Sequence, residues 1–198
     1  MLGKRISRIS DWIFTIEKVL SPKECQRYIT LGDRAGYKTT TVATVGGRNV
    51  VPGLRNHRQA VLYDATLAVN LWQRLALYVP LTLDRRWAIG VSDRLRIARY
   101  DVGERQALHA STPYENEHGD RVMLAVSIPL NKNYEGGEIR FLEMPPWAHR
   151  TRVHSLDPDM QTAIVARREI LQESAPVTRG QKYMLRFDIL YGPPTCKI

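Results

Sequence analysis

At residue 94 the hydrophobic period of the chain changes from helical to two, and it holds at two through residue 191. The clearest segment is Lys182–Tyr191, where Tyr183, Leu185, Phe187, Ile189 and Tyr191 alternate with Lys182, Met184, Arg186 and Asp188. Ten residues in strict alternation place one apolar face on a core and turn the other elsewhere, an arrangement only a sheet provides. The same pattern predicts strands at Arg94–Tyr100 and Val122–Leu130, where Val122, Leu124, Val126, Ile128 and Leu130 share a face. Shorter strands are expected over 137–142 and 162–166. Pro129 donates no ladder hydrogen bond, so its strand is expected at a sheet edge or distorted there. Val102-Gly103, His118-Gly119-Asp120 and Arg179-Gly180 supply turns at short intervals.

Before residue 94 the pattern is helical. Ser21-Pro22-Lys23-Glu24 sets a capping serine, a proline at the first helical position and a glutamate at the third, so a helix begins at Pro22. It carries Cys25, Tyr28 and Ile29 on one face and ends at Gly32 or Gly36. Asp64 caps a second helix in which Leu67, Leu71 and Leu75 stack four apart, with Ala68, Trp72 and Ala76 beside them, until Pro80. Two helices followed by many short strands predict an α+β, mostly β chain: helices on one face of an antiparallel sandwich or barrel. With 198 residues, 43% of them hydrophobic, one core and one domain are expected over 1–198, residues 1–93 giving helical support with the first strands and 94–191 the β core.

No segment approaches the roughly 20 apolar residues of a membrane span, and the first residues lack a signal-peptide pattern, so a cytoplasmic protein is expected. Cys25 and Cys196 stand far apart and outside metal-ligand spacing. The 29 Lys and Arg exceed the 20 Asp and Glu, giving a formal charge of +9. Arginine makes up 22 of the 29 and is scattered, without a basic run or aromatic interleaving, so the excess reads as a solvated surface and not as a nucleic-acid stripe.

Three blocks carry more. They are Arg99-Tyr100-x-x-Gly103-x5-His109; Pro129-Leu130-Asn131 followed by Glu135-Gly136-Gly137-Glu138 and Phe141; and Pro176-Val177-x-x-Gly180-x-Lys182-Tyr183-x-Leu185-Arg186-x-Asp188-x-x-Tyr191. In this order they resemble the 2-oxoglutarate and Fe(II)-dependent dioxygenases of the prolyl 4-hydroxylase type. The resemblance implies a double-stranded β-helix, a jelly roll of the cupin kind, holding iron through a His-x-Asp pair and a distant histidine. Residues i and i+2 of a strand point the same way, so that His and Asp converge on one ion. It also implies that Lys182 is the basic residue for the distal carboxylate of 2-oxoglutarate, with Arg186 four residues along the same face and Tyr100 as a hydrogen-bond donor to it.

The chain departs from the pattern at the metal. His109 matches the first ligand, but Ser111 stands where the Asp belongs and Gln172 where the distal histidine belongs. A hydroxyl and an amide bring the ion no charge and no imidazole. Substitute ligands would have to come from Glu115, Glu117, His118 or Glu173. His57, His149 and His154 lie outside ligand spacing, and Trp147 sits in a loop.

The resemblance and the departure together give two readings. In the first, the usual iron binding is lost and the old pocket acts on or binds a small molecule. That is either a redox-neutral, biosynthetic enzyme with His109, Tyr100, Glu173 and Lys182 as acid–base groups, or a pseudoenzyme subunit, in both cases without a cofactor. In the second, an active hydroxylase uses Fe(II) and 2-oxoglutarate with unorthodox ligands. The expected partner is a small molecule, anionic if Lys182 and Arg186 form an anion site, and neither a membrane nor a nucleic acid. The alternative for Lys182 and Arg186 is an ordinary salt bridge to Asp188 or to loop acids. An oligomer is left open.

Overall fold

The computed structural model describes residues 4–40, 42–44, 47–49, 56–110, 114–144 and 150–193. The first half holds β1 (Ile6–Arg8), β2 (Ile13–Ile16), α1 (Pro22–Ala35), β3 (Lys38–Thr39), β4 (Val42–Thr44) and β5 (Gly47–Asn49). It continues with β6 (Arg58–Tyr63), α2 (Ala65–Leu75), β7 (Thr82–Leu83) and β8 (Arg86–Val91). The second half holds β9 (Arg94–Tyr100), β10 (Gln106–His109), β11 (Arg121–Pro129), β12 (Tyr134–Gly136) and β13 (Ile139–Glu143). It closes with β14 (Arg152–Leu156), β15 (Ala163–Arg167), β16 (Leu171–Ser174), β17 (Val177–Gly180) and β18 (Lys182–Tyr191).

Two antiparallel sheets face each other. The larger runs β1-β2-β15-β11-β18-β9-β6-β3, with β8 pairing the far end of β18 and β7 pairing β8; the smaller runs β10-β16-β13-β14. Strands β9, β18, β11 and β15 therefore oppose β10, β16, β13 and β14, the two four-stranded halves of a jelly roll. Both helices lie on the outer face of the large sheet, α1 against β6 and β9 and α2 against β8.

The alternation of β18 divides the interior. Leu185, Phe187, Ile189 and Tyr191 join Tyr28, Ile29, Leu71 and Leu75 in a core between sheet and helices. Met184 belongs to a smaller cluster between the two sheets, with Tyr100, Phe141, Ile164 and Val177. Strand β11 follows the expected alternation except at its start. A bulge between Val122 and Leu124 shifts the register, so Met123 enters the helix-side core in place of Val122. Pro129 is not on an edge: β11 lies between β15 and β18, and Pro129 is its last residue, where a missing donor costs nothing further along the ladder.

Helix α1 starts at Pro22 as the capping pattern requires: Glu24 N donates to Ser21 Oγ at 3.3 Å and Ser21 N to Glu24 Oε2 at 2.8 Å. It runs to Ala35 and is closed by Gly36. Helix α2 ends at Leu75, before Pro80, with Ala68, Leu71 and Leu75 buried. Glu24 also receives two hydrogen bonds from Arg74 of α2, at 2.5 and 2.9 Å, which join the helices. Those bonds hold the Glu24 carboxyl at a pKa of about 2 against burial.

The depressed Glu24 value gives a signed expectation. Its stabilisation is complete above the ordinary carboxylate value and is lost as pH falls through about 2. Glu24→Gln should cost about 1 kcal/mol at neutral pH, the size of a cap plus a partly solvated ion pair. Urea denaturation of both proteins from pH 7 to pH 2 should show the gap closing with acid; a constant gap would count against the pairing.

Candidate functional site

Between the two sheets lies a group of polar side chains with one amide at its centre. Strand β10 follows the tight turn at Gly103 (φ 81°), and its register slips between Gln106 and His109. The slip turns Gln106, 4% exposed, into the barrel. Gln106 Oε1 accepts from Arg186 Nη1 at 2.5 Å and from the Tyr100 hydroxyl at 3.3 Å. Gln106 Nε2 lies 3.0 Å from His109 Nε2. His109 Nδ1 lies 2.9 Å from the carbonyl of Ala107, which can only accept, so Nδ1 carries the hydrogen. A neutral imidazole whose Nε2 accepts from Gln106 satisfies both contacts.

Gln172 stands directly across the ladder from His109 on β16 and is buried, with Phe141 of β13 on its other side. Ser127, Ile139, Glu173, Ser174 and Met184 complete the lining, and the free space among these groups is about 10 Å3, enough for at most one water. Of the residues expected to act together, the fold gathers His109, Tyr100, Arg186 and Gln172. Glu173 lies one residue off the buried face of β16, and its carboxylate pairs with Arg140 at 3.4 Å. Ser111, His149, Trp147 and Cys196 fall outside the described residues.

Lys182 stands opposite Tyr100 on β9 and is 1% exposed. Its Nζ donates to the carbonyl of Gly137 and lies 5.4 Å from the Tyr100 ring and 5.8 Å from that of Tyr134. The paired glycines make this approach possible. Both have φ of 71°, and a Cβ on Gly137 would stand 3.1 Å from Lys182 Cδ, one on Gly136 only 2.6 Å from the carbonyl oxygen of Pro176. Burial pushes the Lys182 ammonium down to a pKa of about 7, and the charge of Arg186 adds to the effect. The salt-bridge alternative for this pair is not what the fold builds: Asp188 is paired with Arg96 at 2.9 Å and Arg168 at 3.2 Å, while Arg186 serves Gln106.

The other histidines support and do not join the group. His57 is buried and stacks on Tyr100 with ring centroids 4.5 Å apart. His154 bonds Glu143 at 3.0 Å, whose other oxygen accepts from Ser10 at 2.6 Å. Glu115 pairs with Arg121 and Arg86, and Glu117 with His118. Among the described residues no three His, Cys, Asp or Glu side chains are placed to hold a metal. One imidazole facing an amide is not a donor set for Fe(II), so the described residues do not fit the iron that the fold suggests. Nor does the space beside Arg186 accommodate a five-carbon diacid while Gln106 fills it.

Gln106, Arg96 and Arg168 were not legible as site residues. Arg96 shares the period-2 face of Tyr100, which was a usable signal; Gln106 sits on a short, bulged strand with no period to follow.

No family model matches the sequence, and no curated protein does. Solved structures do. A viral collagen prolyl hydroxylase from Paramecium bursaria Chlorella virus 1, solved with 2-oxoglutarate, matches with a TM-score of 0.59 at 17% identity, over 91% of this chain and 97% of that one. A Pseudomonas putida prolyl 4-hydroxylase gives 0.61 at 14% identity, over 89% and 91%. A Trichoplax adhaerens prolyl hydroxylase, solved with a hypoxia-inducible factor peptide, gives 0.65 at 16%, over 91% and 84%. The jelly roll is that of the 2-oxoglutarate/Fe(II) oxygenases of the prolyl hydroxylase type. No helix among the described residues is long and apolar enough to cross a membrane.

Lys182 sets a second pH signature, of the same sign as that of Glu24 but in the alkaline range. Between pH 7 and the ordinary lysine value the unfolded chain holds a proton that the folded chain has released, so stability rises with pH across that window. Thermal melts at pH 7 and pH 10 should show a rise of several degrees that is flattened in Lys182→Met. Equal slopes in the two proteins would mean that the ammonium is not desolvated.

Proposed function

We propose that this chain is a divergent protein of the oxygenase fold that binds a small molecule between its sheets, or acts on it, without iron-dependent oxidation. The observation that carries this reading is the pairing of His109 with Gln172 across β10 and β16, at the two positions where the resemblance calls for imidazoles. The tie of His109 to Arg186 through Gln106 supports it, because the histidine is committed to a network of side chains.

Within that reading the residues divide by chemistry. Lys182, Arg186 and Tyr100 are donors and suit a carboxylate or another oxyanion. Gln106 Oε1 takes two of those donors, so it stands where a ligand oxygen would sit, and a ligand enters as the amide swings aside. His109 is the acid–base group of a redox-neutral enzyme: released from Gln106, Nε2 accepts a proton from the bound molecule and returns it elsewhere. Tyr100, held by its stack on His57, orients the substrate. Glu173 is engaged with Arg140 and is left out of that chemistry. A binding subunit would use the same donors without proton transfer.

The second reading, an Fe(II) and 2-oxoglutarate-dependent hydroxylase, draws on the likeness of the fold and on Lys182 and Tyr100. Anaerobic incubation with Fe(II) and 2-oxoglutarate, followed by metal analysis and assay of succinate after oxygen is admitted, separates the two. Substoichiometric iron and no succinate are expected; one iron per chain with succinate would overturn the proposal. The double variant Ser111→Asp/Gln172→His should bind Fe(II) at least tenfold more tightly than the wild type. Gln106→Ala should strengthen the binding of succinate several-fold in calorimetry, since it frees Arg186 and Tyr100. Weaker binding would instead make Gln106 a ligand contact.

A further inference from the structure

Beyond Gln106, away from Lys182, the inward faces of β9 and β18 carry more positive charge than they neutralise. Arg96 stands directly opposite Arg186 in the ladder, and like charges so placed oppose each other. Arg94 lies two residues back along β9, and Arg168 follows β15 with its N–H donating to the carbonyl of Met123 at the β11 bulge. Arg96 feels Arg186, Arg94 and Arg168 as neighbouring like charges and Asp188 as the opposing one. Among the charges that act on Arg96, three arginines stand against the one carboxylate of Asp188.

Asp188 already pairs with two arginines, Arg96 on Oδ2 and Arg168 on Oδ1. The hydrogen bond from Arg186 goes to a neutral amide. The Arg96 Nε–H is buried and has no hydrogen-bond partner. Burial lowers the Arg96 pKa to about 10, so the fold holds this charge at a cost. Alanines occupy the neighbouring row of the sheet, Ala125 opposite Asp188 and Ala166 opposite Ala125, so no bulky side chain of that row covers the cluster. A buried polar atom such as the Arg96 Nε–H normally has a partner, and clustered like charges normally have a counter-charge.

We propose that Arg96, Arg168 and Arg186 form a second anion site, which binds the phosphate monoester group of the pocket's ligand. Three guanidinium forks, two from strands and one from the turn after β15, match an oxyanion with three free oxygens and two charges better than a planar carboxylate, which two forks saturate. A phosphate there takes the Arg96 Nε–H and the Arg186 fork, and it offsets most of the excess charge. Asp188 then serves as the positioning residue that holds Arg96 and Arg168 apart. The proposal rests on the reading of the pocket as a small-molecule site and names the class of molecule: a phosphorylated compound, its phosphate at the arginines and its remaining polar groups toward His109 and Lys182.

The test is calorimetric titration of the full chain with inorganic phosphate at constant ionic strength, so that general screening does not enter. Phosphate should bind the wild type, and at least tenfold more weakly Arg96→Gln and Arg186→Gln. It should bind unchanged to Arg140→Gln, whose arginine lies on the outer face with Glu138 and Glu173. Arg186→Lys keeps the charge and loses the fork, so it should lose several-fold; this milder variant decides the matter if Arg96→Gln does not fold. Equal loss in Arg140→Gln, or no loss in the Arg186 variants, would overturn the site. Iron binding with succinate formation beside intact phosphate binding would remove the redox-neutral reading and leave this one standing.

Discussion

The antiparallel pairing of β18 with β9 on one side and β11 on the other is the contact on which the molecule depends. It lays ten residues in the middle of the large sheet and fixes which of them look outward and which look in. Outward-facing Leu185, Phe187, Ile189 and Tyr191 pack under the helices. Inward-facing Lys182, Arg186 and Asp188 meet partners delivered by the same register: Tyr100, Arg96 and Ala125. A slip of one residue would exchange the two sets, burying three charges under the helices and exposing the core, so register is strongly specified.

Charge is the second organising fact. A jelly roll usually fills the space between its sheets with apolar side chains, yet here Lys182, Arg186, Arg96 and Arg168 enter it with Asp188 as the acid that pairs with two of them. The fold accommodates them by different means. Lys182 uses a backbone carbonyl and two aromatic faces, Arg186 a side-chain amide, Arg96 and Arg168 a shared carboxylate. The +9 balance of the sequence therefore has a part inside the molecule and is not only a solvated surface.

The sequence made the large elements readable where a single physical rule dominates. The capping box placed the start of α1, alternation placed both ends of β18, and apolar residues set among arginines placed those of β9. It was less informative where rules compete. Strands β1, β2, β10 and β16 have three or four residues each, too few for a period, and β10 and β11 carry register slips that break the alternation. At the site, Tyr100, His109 and Gln172 were found by motif, and the fold brings them together. The role of Gln106 could not be found that way, because it comes from tertiary pairing of a polar side chain with partners three, six and eighty residues away. Glu173 shows the converse: adjacent in sequence to Gln172 and at the edge of the same cavity, it turns its carboxylate to Arg140.

The large sheet also acts as a partition between two cores, and this bears on how such a chain changes over generations. Most of the apolar packing lies on the helix side, while the site occupies the other side beside a smaller cluster. Substitutions among the inward positions of β9, β10, β16 and β18 therefore leave the main store of folding energy untouched. A lineage could exchange side chains at those positions one at a time and keep a folded protein. The scaffold is in that sense more durable than any chemistry it has carried.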